Sequence, residues 1–124
     1  MGGVPHTMHA VLLKGHGGPE QLEYRTDIPV PVPGLGDVLL QVLAAGVNNT
    51  DINTRVGWYS RAVSADTAAA VAGGGHPADD GGWTGAAFVF PRIQGTDVCG
   101  RVAAVGPGVA TSRIGERVLV DPVL

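Results

Sequence analysis

The chain has 124 residues, a length that ordinarily makes one domain and lets roughly two thirds of the unfolded surface be buried. Its hydrophobic share of 44% supports a core, while 20 Gly and 9 Pro favour turns and short strands over long helices. A net charge of −3 with singly scattered basic residues argues against nucleic acid or an anionic membrane as partner, and a single Cys excludes an internal disulfide.

No basic stretch followed by a long apolar run marks the N-terminus, and no segment approaches the eighteen or so apolar residues of a membrane span. A soluble cytoplasmic protein is the expectation. Residues 1–7 read as a disordered lead-in to a strand pattern that begins at Met8.

Met8 to Lys14 is short and apolar, and Gly15-His16-Gly17-Gly18-Pro19 then forces a turn or loop. Leu22-Glu23-Tyr24-Arg25 alternates apolar and charged residues, the period of a half-buried strand. Pro29, Pro31 and Pro33 remove ladder donors at alternate positions and predict an extended arm, closed by a tight turn at Gly34 to Asp37. Asp37 to Val47, with Gln41 its single polar interior residue, reads as a strand buried on both faces, as in a barrel wall, although its pattern alone does not exclude a helix. Asn48 or Asn49 is a suitable N-cap for a short helix from Thr50 to Arg55, which Gly57 would end.

Residues 60–87 show no sustained period and read as a long insertion loop with room for a short helix at Ala65 to Ala72. Phe88 to Pro91 re-enters the fold. Asp97 to Val105 alternates with Arg101 outward, Gly106-Pro107-Gly108 turns the chain, and Glu116 to Val120 makes a last strand. Five or six short strands, one short helix and no repeat describe a mostly β, barrel-like domain.

Two separated segments carry the chemistry: Gly46-Val47-Asn48-Asn49-Thr50-Asp51 and Gly95-Thr96-Asp97-Val98-Cys99-Gly100. With Leu22 to Tyr24, the Pro-rich arm, GDVLLQVLAAGVN, QGTDVCGRVAAVGPGV and GERVLV, they resemble, in order, the N-terminal GroES-like domain of the medium-chain dehydrogenase/reductase superfamily. The resemblance implies a partly open β-barrel spanning residues 8–124, interrupted by the 60–87 insertion. Zinc-dependent members place a cysteine where Asn48 stands and a histidine where Thr96 stands. An amide and a hydroxyl are poor zinc ligands, so the resemblance points to a zinc-independent branch near the quinone oxidoreductases, with no metal site.

By the same resemblance, Asn48 would donate to a substrate carbonyl and, with Asn49, contact the nicotinamide; Thr50 would relay a proton; Tyr59 would hydrogen-bond the acceptor oxygen. Asp51, Thr96 and Asp97 would line the substrate cleft or serve structure. Plainer roles compete at each: N-cap for Asn48, local backbone bonding for Thr50, a favourable first-turn charge for Asp51, an exposed loop aromatic for Tyr59. Gly95 to Val102 has P-loop glycine spacing, but Arg101 and Val102 stand where Lys and Ser or Thr are required. Cys99 reads as a small buried residue, and His76 with Asp79 and Asp80 as part of a solvated loop.

The resemblance implies the substrate-side domain of an oxidoreductase that passes hydride from NADPH or NADH to a quinone, enone or aldehyde, in a homodimeric full-length protein. No G-x-G-x-x-G in a βαβ setting is present, so the Rossmann domain that would bind the cofactor is expected outside these residues, and they alone would not turn over. Two other classes stay open: a stand-alone GroES-like interaction module using the 60–87 loop, and a zinc alcohol dehydrogenase with atypical ligands.

Overall fold

The computed structural model describes residues 3–58 and 88–121. Among them are five strands and one α-helix: β1 (Thr7–Leu13), β2 (Leu22–Pro29), β3 (Val38–Ala44), α1 (Asn49–Val56), β4 (Cys99–Val105) and β5 (Arg117–Leu119). Single 3₁₀ turns at Pro19–Gln21 and Thr111–Arg113 complete the regular structure. The mostly β character with one short helix is as the sequence predicts. The strands form two open sheets, one of β1 and β2 and one in the order β3-β4-β5, neither closed into a barrel.

The residues divide into two compact units. One contains the chain through Met8, Thr26–Val47 and the chain from Gly95 onward; the other contains His9–Arg25 and the stretch from Asn48 to Gln94.

In the first unit, β4 is the central strand. It pairs antiparallel with β3 from Val38↔Val105 to Ala44↔Cys99 and antiparallel with β5 from Cys99↔Leu119 to Arg101↔Arg117. The alternation read from the sequence is visible in β4: Gly100 and Val102 are buried and Arg101 between them is exposed. Val102 is fully buried, worth about 1.5–3 kcal/mol relative to exposure. The predicted turn before β3 closes with Asp37 N–H donating to the Gly34 carbonyl at 3.1 Å and Gly34 N–H to Asp37 Oδ2 at 3.0 Å.

The expected two-sided burial of β3 is not what forms. Its C-terminal half is exposed on both faces, since the consecutive residues Val42 and Leu43 are 59% and 54% exposed. β3 is an edge strand of a three-stranded sheet. A mostly apolar run reports strand character but not which layer covers it.

In the second unit, Leu13 is fully buried and Val56 nearly so, with Thr54 beside them in burial. Leu13 also exchanges both backbone hydrogen bonds with Arg92, at 2.8 and 3.0 Å, which ties the segment after Phe88 to β1. The Pro-rich arm begins only after Pro29, because β2 runs on to that residue and Val30 N–H still donates to the His6 carbonyl at 3.0 Å. Tyr59, the 60–87 insertion with its proposed helix, and the first two residues of the lead-in lie outside the described residues.

Candidate functional site at the start of helix α1

The helix begins where asparagine chemistry allows it. Asn48 has extended backbone (φ −133°, ψ −179°) and acts as N-cap, its Oδ1 accepting from Thr50 N–H at 3.0 Å. Asp51, three residues on, returns the favour: its Oδ2 accepts from Asn48 N–H at 2.9 Å. This reciprocal capping box satisfies helix-start donors and adds a carboxylate at the positive end of the helix dipole. The planar carboxamide of Asn48 is thereby oriented, with Oδ1 turned to the helix and the Nδ2 hydrogens on the opposite branch.

The rest of the helix is fixed from its other end. Gly57 adopts the left-handed conformation (φ +75°) that a C-cap requires, and Gly57 and Trp58 N–H groups return to the Asn53 and Thr54 carbonyls. The Gly-His-Gly-Gly loop completes the capping. His16 Nδ1–H donates to the Thr54 carbonyl at 2.9 Å, and Gly17 N–H to the Arg55 carbonyl at 2.8 Å. Arg55 Nη1 in turn donates to the Gly17 carbonyl at 2.7 Å. Phe90 stacks edge-on against His16 at 5.0 Å, and the Arg92 guanidinium lies 4.8 Å over the Phe88 ring.

The first-turn residues differ in exposure. Asn48 and Asp51 are half-buried, while Asn49 and Thr50 are exposed. The Thr50 carbonyl accepts from the buried Thr54 hydroxyl at 2.8 Å, so the backbone of Thr50 is held while its own side chain faces outward. The Asp51 carbonyl receives a bond from Gln94 Nε2 at 3.2 Å, across 43 residues. Neither Gln94 nor the clasp of His16 and Gly17 on Thr54 and Arg55 carries a motif that sequence reasoning could find.

Thr96 and Asp97 belong to the other unit. There the β3–β4 register aligns Ala44 with Cys99, which brings the ends of the two signature segments alongside each other at Gly46 and Asp97. A Cβ on Gly46 would stand 2.6 Å from Asp97 Oδ2, so a larger residue there would make the exposed Asp97 carboxylate turn aside. Thr96 Oγ1 is 3.5 Å from Asp97 Oδ1, and both residues are exposed. Cys99 is a free thiol, half-buried rather than fully buried.

Among the described residues no three His, Cys, Asp or Glu side chains converge as a metal would need. Asn48 and Thr96 do not fit zinc: the Asn48 amide oxygen already accepts from the helix, and a hydroxyl cannot replace an imidazole at the metal. No helix among the described residues is long and apolar enough to cross a membrane.

A mostly β domain with one short capped helix fits the N-terminal domain of medium-chain dehydrogenases/reductases. The chain belongs to the alcohol dehydrogenase GroES-like domain family, whose model matches residues 34–123. It is 32% identical to the quinone oxidoreductase of Homo sapiens over 114 residues, covering 92% of this chain and 27% of that protein. In structure it resembles a putative alcohol dehydrogenase from Sinorhizobium meliloti 1021, with TM-score 0.76 and 48% identity over 95% of this chain and 30% of that one. It also resembles mycobacterial Rv1454c complexed with NADPH, with TM-score 0.59 and 33% identity over 90% of this chain and 27% of that one. The chain thus spans under a third of the length of these relatives.

Proposed function

We propose that these residues form the acceptor-binding domain of a zinc-independent, NADPH-dependent oxidoreductase that reduces a quinone or a conjugated carbonyl. The observation that carries the proposal is the capped start of α1, where the Asn48 amide is oriented by the Thr50 N–H; by the family resemblance, zinc-dependent members would have a metal-ligating thiolate at that position. The quinone oxidoreductase relatives and the NADPH-bound structural relative support the choice of acceptor and cofactor.

Bound nicotinamide would supply the hydride. The chain's own residues would manage the charge that hydride arrival leaves on the acceptor oxygen. Nδ2 of Asn48 carries two hydrogens, so it can donate to that oxygen while Oδ1 keeps the cap. The N-terminal end of α1, with its partial positive charge, favours negative charge at the same place. Because the capping box fixes Asn48 before substrate arrives, the donor needs little reorganisation, and such a donor is worth about 2.7–4 kcal/mol in the transition state. The exposed Thr50 hydroxyl can both donate and accept, as passing a proton from solvent to the reduced oxygen requires. Asn49, exposed beside it, is a candidate partner for the nicotinamide carboxamide, with most of the dinucleotide held by residues beyond those described here.

The test is NADPH oxidation by the purified full-length polypeptide against a panel of quinones, enones and aldehydes. Turnover with quinones or enones supports the proposal. Turnover with none, or equal activity after Asn48→Ala, would overturn it.

A further inference from the structure

Gln94 packs in the same unit as α1 and touches it in one polar contact, Nε2 to the Asp51 carbonyl at 3.2 Å. The other end of its amide is less well served. Oε1 is buried and has no hydrogen-bond partner among the described residues. An apolar side chain of similar shape would fill the same space without stranding an acceptor, so packing alone is a poor reason for an amide here. Polar groups kept at a cost to stability are characteristic of sites held for function.

The bond falls at a telling place. Asp51 is the residue whose carboxylate holds the Asn48 N–H, so a grip on the Asp51 peptide steadies the same turn that carries Asn48 and Thr50. The carbonyl has a second lone pair for such a contact beyond its place in the helix. The chain from Arg92 to Gln94 is itself anchored, since Arg92 pairs with Leu13 on β1. Gln94 therefore transmits a fixed position to the helix start from the flank.

We infer that Gln94 is a positioning residue that holds the first turn of α1 in place while a carbonyl or quinone acceptor binds, an inference that rests on the function proposed above. Gln94→Met keeps volume and removes both the donor and the stranded acceptor. In the full-length enzyme, kcat should fall on the order of tenfold with KM for NADPH unchanged, because small misplacements of reacting groups are costly. The deuterium isotope effect on kcat, with NADPH labelled at the transferred hydrogen, should rise, and that ratio does not depend on the folded fraction. Amide exchange in α1 should quicken about tenfold while Tm stays level or increases.

Unchanged kcat, isotope effect and α1 exchange would overturn the inference, as would a kcat loss that only follows a fall in Tm. Gln94→Leu gives the same comparison if the Met variant does not fold. Failure of the wild-type enzyme to reduce any acceptor would count against the proposed function instead, and α1 exchange would then still decide whether Gln94 holds the helix.

Discussion

Asn48 is assigned two roles, cap and hydrogen-bond donor, and the substitution Asn48→Asp separates them. Aspartate caps helices as well as asparagine does, and its carboxylate can accept from Thr50 N–H across the same 3.0 Å. A further first-turn anion gains about 0.3–1 kcal/mol from the helix dipole. Repulsion from Asp51, three residues away, costs about 0.2–0.5 kcal/mol. The folded state should therefore change by under about 1 kcal/mol, whereas Asn48→Ala forfeits the cap and should lose about 1 kcal/mol. Catalysis should sort the variants differently. Neither Asp nor Ala offers the Nδ2 hydrogens, so both should lower kcat/KM by about 10²–10³-fold, and Asp at least as much as Ala because it sets a negative charge beside the developing one. Steady-state NADPH oxidation, read beside chemical denaturation of the same preparations, gives both numbers. An Asp variant within about threefold of wild type in kcat/KM would refute the donor role and leave Asn48 a cap alone.

Other substitutions test the framework. Leu13→Ala removes a fully buried side chain from the second unit and should cost about 2–5 kcal/mol in denaturant unfolding; a loss below about 1 kcal/mol would mean that Leu13 is not a core residue. Gly46→Ala should destabilise less in an Asp97→Ala background than in wild type, since the added Cβ makes the Asp97 carboxylate turn aside, and a coupling of about 0.5 kcal/mol is expected. Additivity of the two changes would show that the Asp97 carboxylate does not constrain position 46. Gly57→Ala should cost about 1 kcal/mol or more, because the C-cap is left-handed and the new Cβ would stand 3.3 Å from the His16 ring; a neutral result would mean a different helix end.

The parts of the fold that were legible in the sequence are those decided within a few residues. The α1 start narrows to Asn48 or Asn49 as N-cap, and its end to Gly57, because caps are local chemistry; the reciprocal bond from Asp51 that settles on Asn48 is visible only in the structure. β4 follows from the alternation around Arg101, and the turn at Gly34 to Asp37 from glycine and aspartate. What escaped is long-range. The exposure of Val42 and Leu43 depends on what lies over β3, which an apolar run does not state. Gln94 reaches Asp51 over 43 positions, and His16 and Gly17 clasp the end of α1 from a loop that reads only as a turn. Of the candidate site, Asn48, Thr50 and Asp51 fall together in one helical turn, Thr96 and Asp97 sit in the other unit, and Tyr59 lies outside the described residues.

The most direct trial of a metal-free acceptor site is zinc content measured alongside turnover in the purified full-length protein, before and after prolonged chelation. Substoichiometric zinc and undiminished NADPH-dependent reduction after chelation are the predicted outcome. One firmly held zinc per chain, lost together with activity and restored with it, would contradict the assignment of Asn48 as the group that polarises the acceptor.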